Sequence, residues 1–113
     1  MGNLNSVTID CRDAETLAKF WAQALEGYSV DSEWAMVLKS DSGPTIFFQA
    51  VPEPKQGKNR VHLDMAVADR LAEVGRLKSL GATVLQEMEE GGYQWTIMQD
   101  PEGNEFCVTQ AAE

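Results

Sequence analysis

Apolar and polar residues alternate along Ser6-Val7-Thr8-Ile9-Asp10-Cys11, and again along Arg60-Val61-His62-Leu63-Asp64-Met65. A period of two is the signature of a strand with one buried face. After each stretch the period changes. Leu17, Phe20, Trp21 and Ala24 recur at i, i+3, i+4 and i+7, which predicts a helix whose apolar stripe rests on a sheet. Leu71, Val74, Leu77 and Leu80 mark a second helix, in which Gly75 takes the place of Trp21 and predicts a closer approach to the sheet. Asp13 is positioned to cap the first helix, while Gly27 and Gly81 are positioned to end the two.

Strand-like segments follow each helix, at residues 28–32, 35–40 and 45–50 in the first half and 83–87, 93–99 and 105–109 in the second. Asp41-Ser42-Gly43-Pro44, Glu90-Gly91-Gly92 and Asp100-Pro101-Glu102-Gly103-Asn104 supply turns between them. The halves also resemble each other. An offset of 54 aligns Val7 with Val61 and runs without a gap to Val30 and Val84. Val7/Val61, Asp10/Asp64, Ala14/Ala68, Leu17/Leu71, Ala18/Ala72, Gly27/Gly81 and Val30/Val84 are identical across it. The predicted organisation is α+β: one domain over residues 1–113, with a βαβββ module at 4–50, an exposed linker at 51–59 and a second module at 60–110.

At 113 residues the chain is long enough to bury a core without staples. A formal net charge of −9 argues against nucleic acid, whose phosphates need clustered Lys and Arg. Lys55, Lys58 and Arg60 form the one short basic cluster, read as solvated loop or as a local seat for an anionic group. The longest apolar runs fall far short of a membrane span. The N-terminus lacks a basic region followed by an apolar core, so no signal peptide is expected. Two cysteines, Cys11 and Cys107, are too few for a disulfide framework, so the expected setting is a reducing cytoplasm.

Three stretches carry a family resemblance: Asp13 through Phe20-Trp21 to Leu25, Arg60-Val61-His62-Leu63-Asp64, and above all Asp100-Pro101-Glu102-Gly103-Asn104-Glu105-Phe106. With the paired modules, they resemble the vicinal-oxygen-chelate superfamily, the glyoxalase, bleomycin-resistance and dioxygenase group, and within it the short glyoxalase-like proteins. The resemblance implies a curved mixed sheet forming a cup, with one helix per module, and a homodimer. In metal-using members four strands each supply a His, Gln or Glu ligand. Carried over, those positions fall on Ser6, on or near Gln49, on His62 and on Cys107, so the set is degenerate: one imidazole, one thiol, one weak amide and one gap. Lewis-acid catalysis needs an ion held firmly by several donors. No cofactor is therefore expected, and a divalent metal is disfavoured.

His62, the only histidine, shares its predicted strand face with Asp64. The pair reads either as a general base oriented by a carboxylate or as a histidine satisfied by neighbouring strands. Asp10 and Asp64 read as a repeated acidic pair, either sharing a proton for acid–base work or bonded to backbone or to Arg12 and Arg60. Cys107 reads as a small buried thiol unless a neighbour activates it. Strand alternation groups Phe47 with Gln49, and Trp95 with Tyr93 and Ile97, as an aromatic lining or as sheet packing. Trp21 reads as core, and Met36, Met65, Met88 and Met98 as gap-fillers. The favoured expectation is a cup that binds a small organic molecule without a tightly held catalytic metal, lined by Phe47, Gln49, His62, Trp95 and Cys107. Two alternatives stay open: a lyase, isomerase or dioxygenase-like enzyme with a residual metal at His62, and a metal-free acid–base catalyst using His62 and Asp64.

Overall fold

The first alternating stretch becomes strand β1, Ser6–Cys11, and the first stripe becomes helix α1, Ala14–Ala24. The computed structural model describes residues 1–111. Asp13 caps α1, accepting from the Thr16 backbone N–H at 3.1 Å and its hydroxyl at 2.8 Å. Strands β2 (Ser29–Val30), β3 (Val37–Lys39) and β4 (Thr45–Ala50) complete the module, in sheet order β1-β4-β3-β2. The first two are shorter than the alternation predicts. β1 and β4 are parallel, with Thr8 opposite Phe47 and Asp10 opposite Gln49. All four stripe residues of α1 are buried, and Phe20 meets Trp21 edge-on at 5.3 Å. Ile46 and Phe48 are buried in β4, whereas Phe47 and Gln49 face the other way and are exposed.

The second module repeats the plan with β5 (Leu63–Val67), α2 (Arg70–Ser79), β6 (Thr83–Glu90), β7 (Tyr93–Gln99) and β8 (Glu105–Gln110). Its sheet order is β5-β8-β7-β6, with β5 and β8 parallel. Phe106, Val108, Thr96 and Met98 are buried in the strands, as are Val74 and Leu77 in α2, which packs on β8, β6 and β7. The chain separates into two compact units at Pro54/Lys55.

Several expectations need correction here. β5 begins at Leu63, so Arg60, Val61 and His62 precede the strand, and Val61 is exposed. The gapless offset of 54 does not hold at the front of the modules. Both helices are capped by aspartate, Asp69 accepting from Ala72 N–H at 3.1 Å. Their spacing, like that of the strand ends Cys11 and Val67, is 56 residues. Asp13 to Gly27 spans 14 residues and Asp69 to Gly81 only 12, so the second module is two residues shorter there. Leu71 is consequently not the counterpart of Leu17, and it is 67% exposed against 1%.

Gly75 is exposed, and a Cβ at that position would meet none of the described residues within 4 Å, so it marks no close approach of α2 to the sheet. It lies inside a helix without a positive φ. Gly75→Ala is therefore expected to raise the unfolding free energy by about 0.5–1 kcal/mol, read as a higher urea midpoint with unchanged slope.

The linker is partly tied down. Lys55 pairs with Glu105 at 2.8 Å, and Asn59 donates its backbone N–H to the Glu105 carboxylate at 3.1 Å. Lys55 is thus a structural cation rather than a free seat for an anion. Burial alone would raise the Glu105 carboxyl, but the bonds from Lys55 and Asn59 hold it below its usual range. At the far turn, Asp100 is buried and its carboxylate accepts from the N–H groups of Glu102 and Asn104 at 2.9 and 3.0 Å. Gly103 supplies the positive φ of 87° that closes the turn.

Candidate functional site

In the second sheet, alternation sends Phe106 and Val108 toward α2 and leaves Glu105, Cys107 and Thr109 on the opposite face. Cys107 stands directly opposite Asp64 on β5 and Ile97 on β7. One row further along the same face, Thr109 lies opposite Trp95. His62, just before β5, reaches forward so that its Nε2 lies 3.2 Å from Asp64 Oδ1. Donor atoms of His62, Asp64 and Cys107 all lie within 4.8 Å of one another. His62 and Asp64 are about half exposed, whereas Cys107 is buried beneath them.

The carboxylate serves both neighbours. With Asp64 accepting from Nε2–H, a neutral His62 presents Nδ1 as its free acceptor. Burial first, then the charge and hydrogen bond of Asp64, push the Cys107 thiol up to about 11, with Lys58 offsetting slightly. A protonated, buried thiol is a poor nucleophile. Iodoacetamide is thus expected to label Cys107 far more slowly than a free thiol at pH 7.5. Asp64→Asn removes two of the raising influences and should speed labelling, timed by mass spectrometry in a Cys11→Ser background. A stability consequence follows. The unfolded thiol ionises from its ordinary 9.0 while the folded one holds its proton to about 11. The folded state therefore binds more protons between those values, and stability falls as pH rises through them.

The sequence-predicted residues fall in two places. His62, Asp64, Cys107 and Trp95 share one face of the second sheet. Ser6, Phe47 and Gln49 belong to the first. There, counting seven and five residues back from each capping aspartate makes Ser6 the counterpart of His62 and Thr8 that of Asp64. The strand register then makes Phe47, opposite Thr8, the counterpart of Cys107. Gln49 sits two residues further on, opposite Asp10. Asp10 and Asp64 are accordingly not equivalent, and Asp64 engages His62 and Cys107. The link from Asp64 to Cys107 was missed in the sequence, because it depends on the parallel register of β5 and β8.

This donor set does not fit the four-ligand ion that the superfamily resemblance implies. At the register positions the first module offers a hydroxyl, Ser6, and a phenyl ring, Phe47, and neither replaces the imidazole or carboxylate a hard divalent ion requires. Three depressions accompany these residues. One of about 350 Å³ is lined by Glu90, Tyr93, Gln94, Trp95, Thr109 and Gln110 in the second module. In the first module, one of about 410 Å³ is lined by Thr8, Met36, Phe47, Phe48 and Gln49 among others. Another, about 640 Å³, lies there among Trp34, Met36, Val37 and Phe47, with Asp31, Glu33 and Lys39 as its charged members.

Residues 6–109 match the family model described as a glyoxalase-like domain. The chain belongs to that family. A glyoxalase/bleomycin resistance protein/dioxygenase family enzyme from Burkholderia phytofirmans PsJN superposes with a TM-score of 0.78 at 20% identity, over 98% of this chain and 100% of that one. A glyoxalase-related enzyme from Fulvimarina pelagi gives 0.73 at 14% identity, covering 98% and 89%. Oxidase ChaP-H1 gives 0.69 at 18%, covering 99% and 98%. At these identities the likeness establishes the shared fold of the superfamily and does not carry an activity across. No curated protein matches the sequence. Among the described residues, no helix of this glyoxalase-like domain is long and apolar enough to cross a membrane.

Proposed function

We propose that this glyoxalase-like domain binds a small organic molecule against the face of its second sheet turned away from α2, without the superfamily's tightly held catalytic ion. His62 and Asp64 act as polar anchors, and Trp95 with the adjoining depression supplies apolar contact. One observation carries the reading: three polar groups converge within 4.8 Å, and Trp95 lies one row along the same face. Ligand sites combine a mostly apolar wall with a few placed polar groups. The depression of about 350 Å³ is within the range of small-molecule sites.

A thermal-shift and calorimetric screen of a planar heteroaromatic fragment library, run on chelator-treated protein, tests this. Fragments are expected to raise Tm, and to lose at least tenfold in affinity on His62→Ala and on Trp95→Leu. Hits that bind both variants unchanged, or that require an added divalent ion, would contradict it.

A second reading has its own observation, the 3.2 Å His62–Asp64 pair. A carboxylate that fixes the imidazole tautomer leaves Nδ1 as a base for proton abstraction from a bound substrate. Homodimerisation and a reducing cytoplasmic setting belong to the same proposal. Support comes from Trp34, Phe47 and Tyr93, large and exposed, which suit contact with a second copy. Cys11 and Cys107, both buried and too few for a disulfide framework, suit a reducing compartment.

A further inference from the structure

We infer that the molecule taken by the second sheet is an aromatic organic cation, its positive end at Glu90 and its rings on Tyr93 and Trp95. The inference rests on the binding face proposed above and names the chemical class that this face selects. Register lays out the chemistry. Glu90 stands directly opposite Tyr93 across the antiparallel pair β6–β7. Directly opposed side chains share a face of a sheet. The Glu90 carboxylate therefore lies on the same side as Tyr93 and Trp95, with Thr109 opposite Trp95 on the next strand. The depression of about 350 Å³ gathers all four, and Glu90 is the only charged residue among those that line it.

That carboxylate is free to meet a ligand. Its neighbour Glu89 points to the opposite face and accepts from Gln94 at 3.2 Å. Asp64, the other acid toward this side, is engaged by His62. Among the described residues no basic side chain pairs with Glu90. Lys55 is held by Glu105, and Lys58 acts at Cys107, which stands opposite Ile97, two rows from Tyr93. Two rows are roughly 14 Å along a strand, beyond the ~8 Å screening length of physiological salt. The rings add to the attraction. Tyr93 is 77% exposed and Trp95 half-buried, so their π-faces are open to a cation. An exposed ion pair and an exposed cation–π contact each give a few-fold in affinity, and together about tenfold. An anionic molecule would instead meet Glu90 on a chain of net charge −9.

Three probes of matched shape test the class: N-methylquinolinium, neutral quinoline and a quinoline carboxylate. Each is titrated into the full-length, chelator-treated protein and followed at the Trp95 indole N–H by NMR. The cation is expected to bind about tenfold tighter than quinoline, and the carboxylate more weakly than either. Glu90→Gln, at an exposed position that leaves the core intact, should bring cation and quinoline within about twofold of each other. It should leave quinoline itself unchanged. Glu26→Gln, an equal change of net charge at an exposed position in the first module, should preserve the tenfold preference. Equal binding of all three probes at Trp95, or a preference that survives Glu90→Gln, would overturn the cation class and leave the binding face standing. Failure of every probe to move the Trp95 signal would overturn both.

Discussion

Replacing Phe106 by alanine is expected to cost about 3–5 kcal/mol of unfolding free energy, the usual range for a buried ring. The ring is 1% exposed, sits on β8 between Leu63 on β5 and Met98 on β7, and lies on the face that α2 covers. That helix brings only two buried apolar side chains, Val74 and Leu77. The module therefore has little with which to fill the cavity. Phe47 provides the control. It is the same residue type in the register position of Cys107, on the face turned away from α1, and it is 38% exposed. Phe47→Ala should cost under about 1.5 kcal/mol, since only part of its apolar surface leaves water. Urea unfolding of the two variants separates the faces. Equal losses would mean that the assignment of faces is wrong.

The second large effect is expected where an exposed acid holds a buried cation. Arg70, in the first turn of α2, is 9% exposed. Its guanidinium donates to the Glu87 carboxylate and, at 2.7 Å, to the Thr96 hydroxyl, and the same hydroxyl donates to Glu87 at 2.8 Å. Among the described residues its Nε has no partner. Glu87 itself is half exposed, and surface acids usually tolerate substitution at little cost. Glu87→Ala is nevertheless expected to destabilise by about 2–3 kcal/mol, because it strands a desolvated positive charge with one neutral acceptor. The paired change Arg70→Met with Glu87→Gln removes the charge together with its partner. It should recover most of that loss in thermal and urea melts. A Glu87→Ala cost below about 0.5 kcal/mol would mean that Arg70 finds water, and that the network does not fasten α2 to the sheet.

Local chemistry was legible in the sequence, and long-range register was not. The spacing of Leu17, Phe20, Trp21 and Ala24 predicts a buried stripe, and all four are buried. The turn from Asp100 to Asn104 announces itself through Pro101 and Gly103, and Asp100 bonds within it. The repeat was visible too, but identities at an offset of 54 placed Leu71 opposite Leu17 and Asp64 opposite Asp10. Those matches arise by slipping the front of the second module two residues, a difference that lies between the capping aspartate and the following glycine. The candidate site suffered most from this. Asp64 and Cys107 are 43 residues apart in the chain and meet through parallel pairing, whose register no local pattern prescribes. Arg70 was hidden for a related reason: a cation at the start of a helix reads as solvated until the strand supplying Glu87 is in place.

The most direct test of the central claim is a ¹⁵N–¹H NMR titration of chelator-treated protein with the tightest fragment from the screen. Binding on the second sheet predicts shifts concentrated at the amides of Leu63, Asp64, Cys107 and Thr109 and at the Trp95 indole, with saturation at one site. Shifts concentrated instead around Trp34, Met36 and Phe47 would place the ligand in the first module, and would contradict the role given to His62 and Asp64.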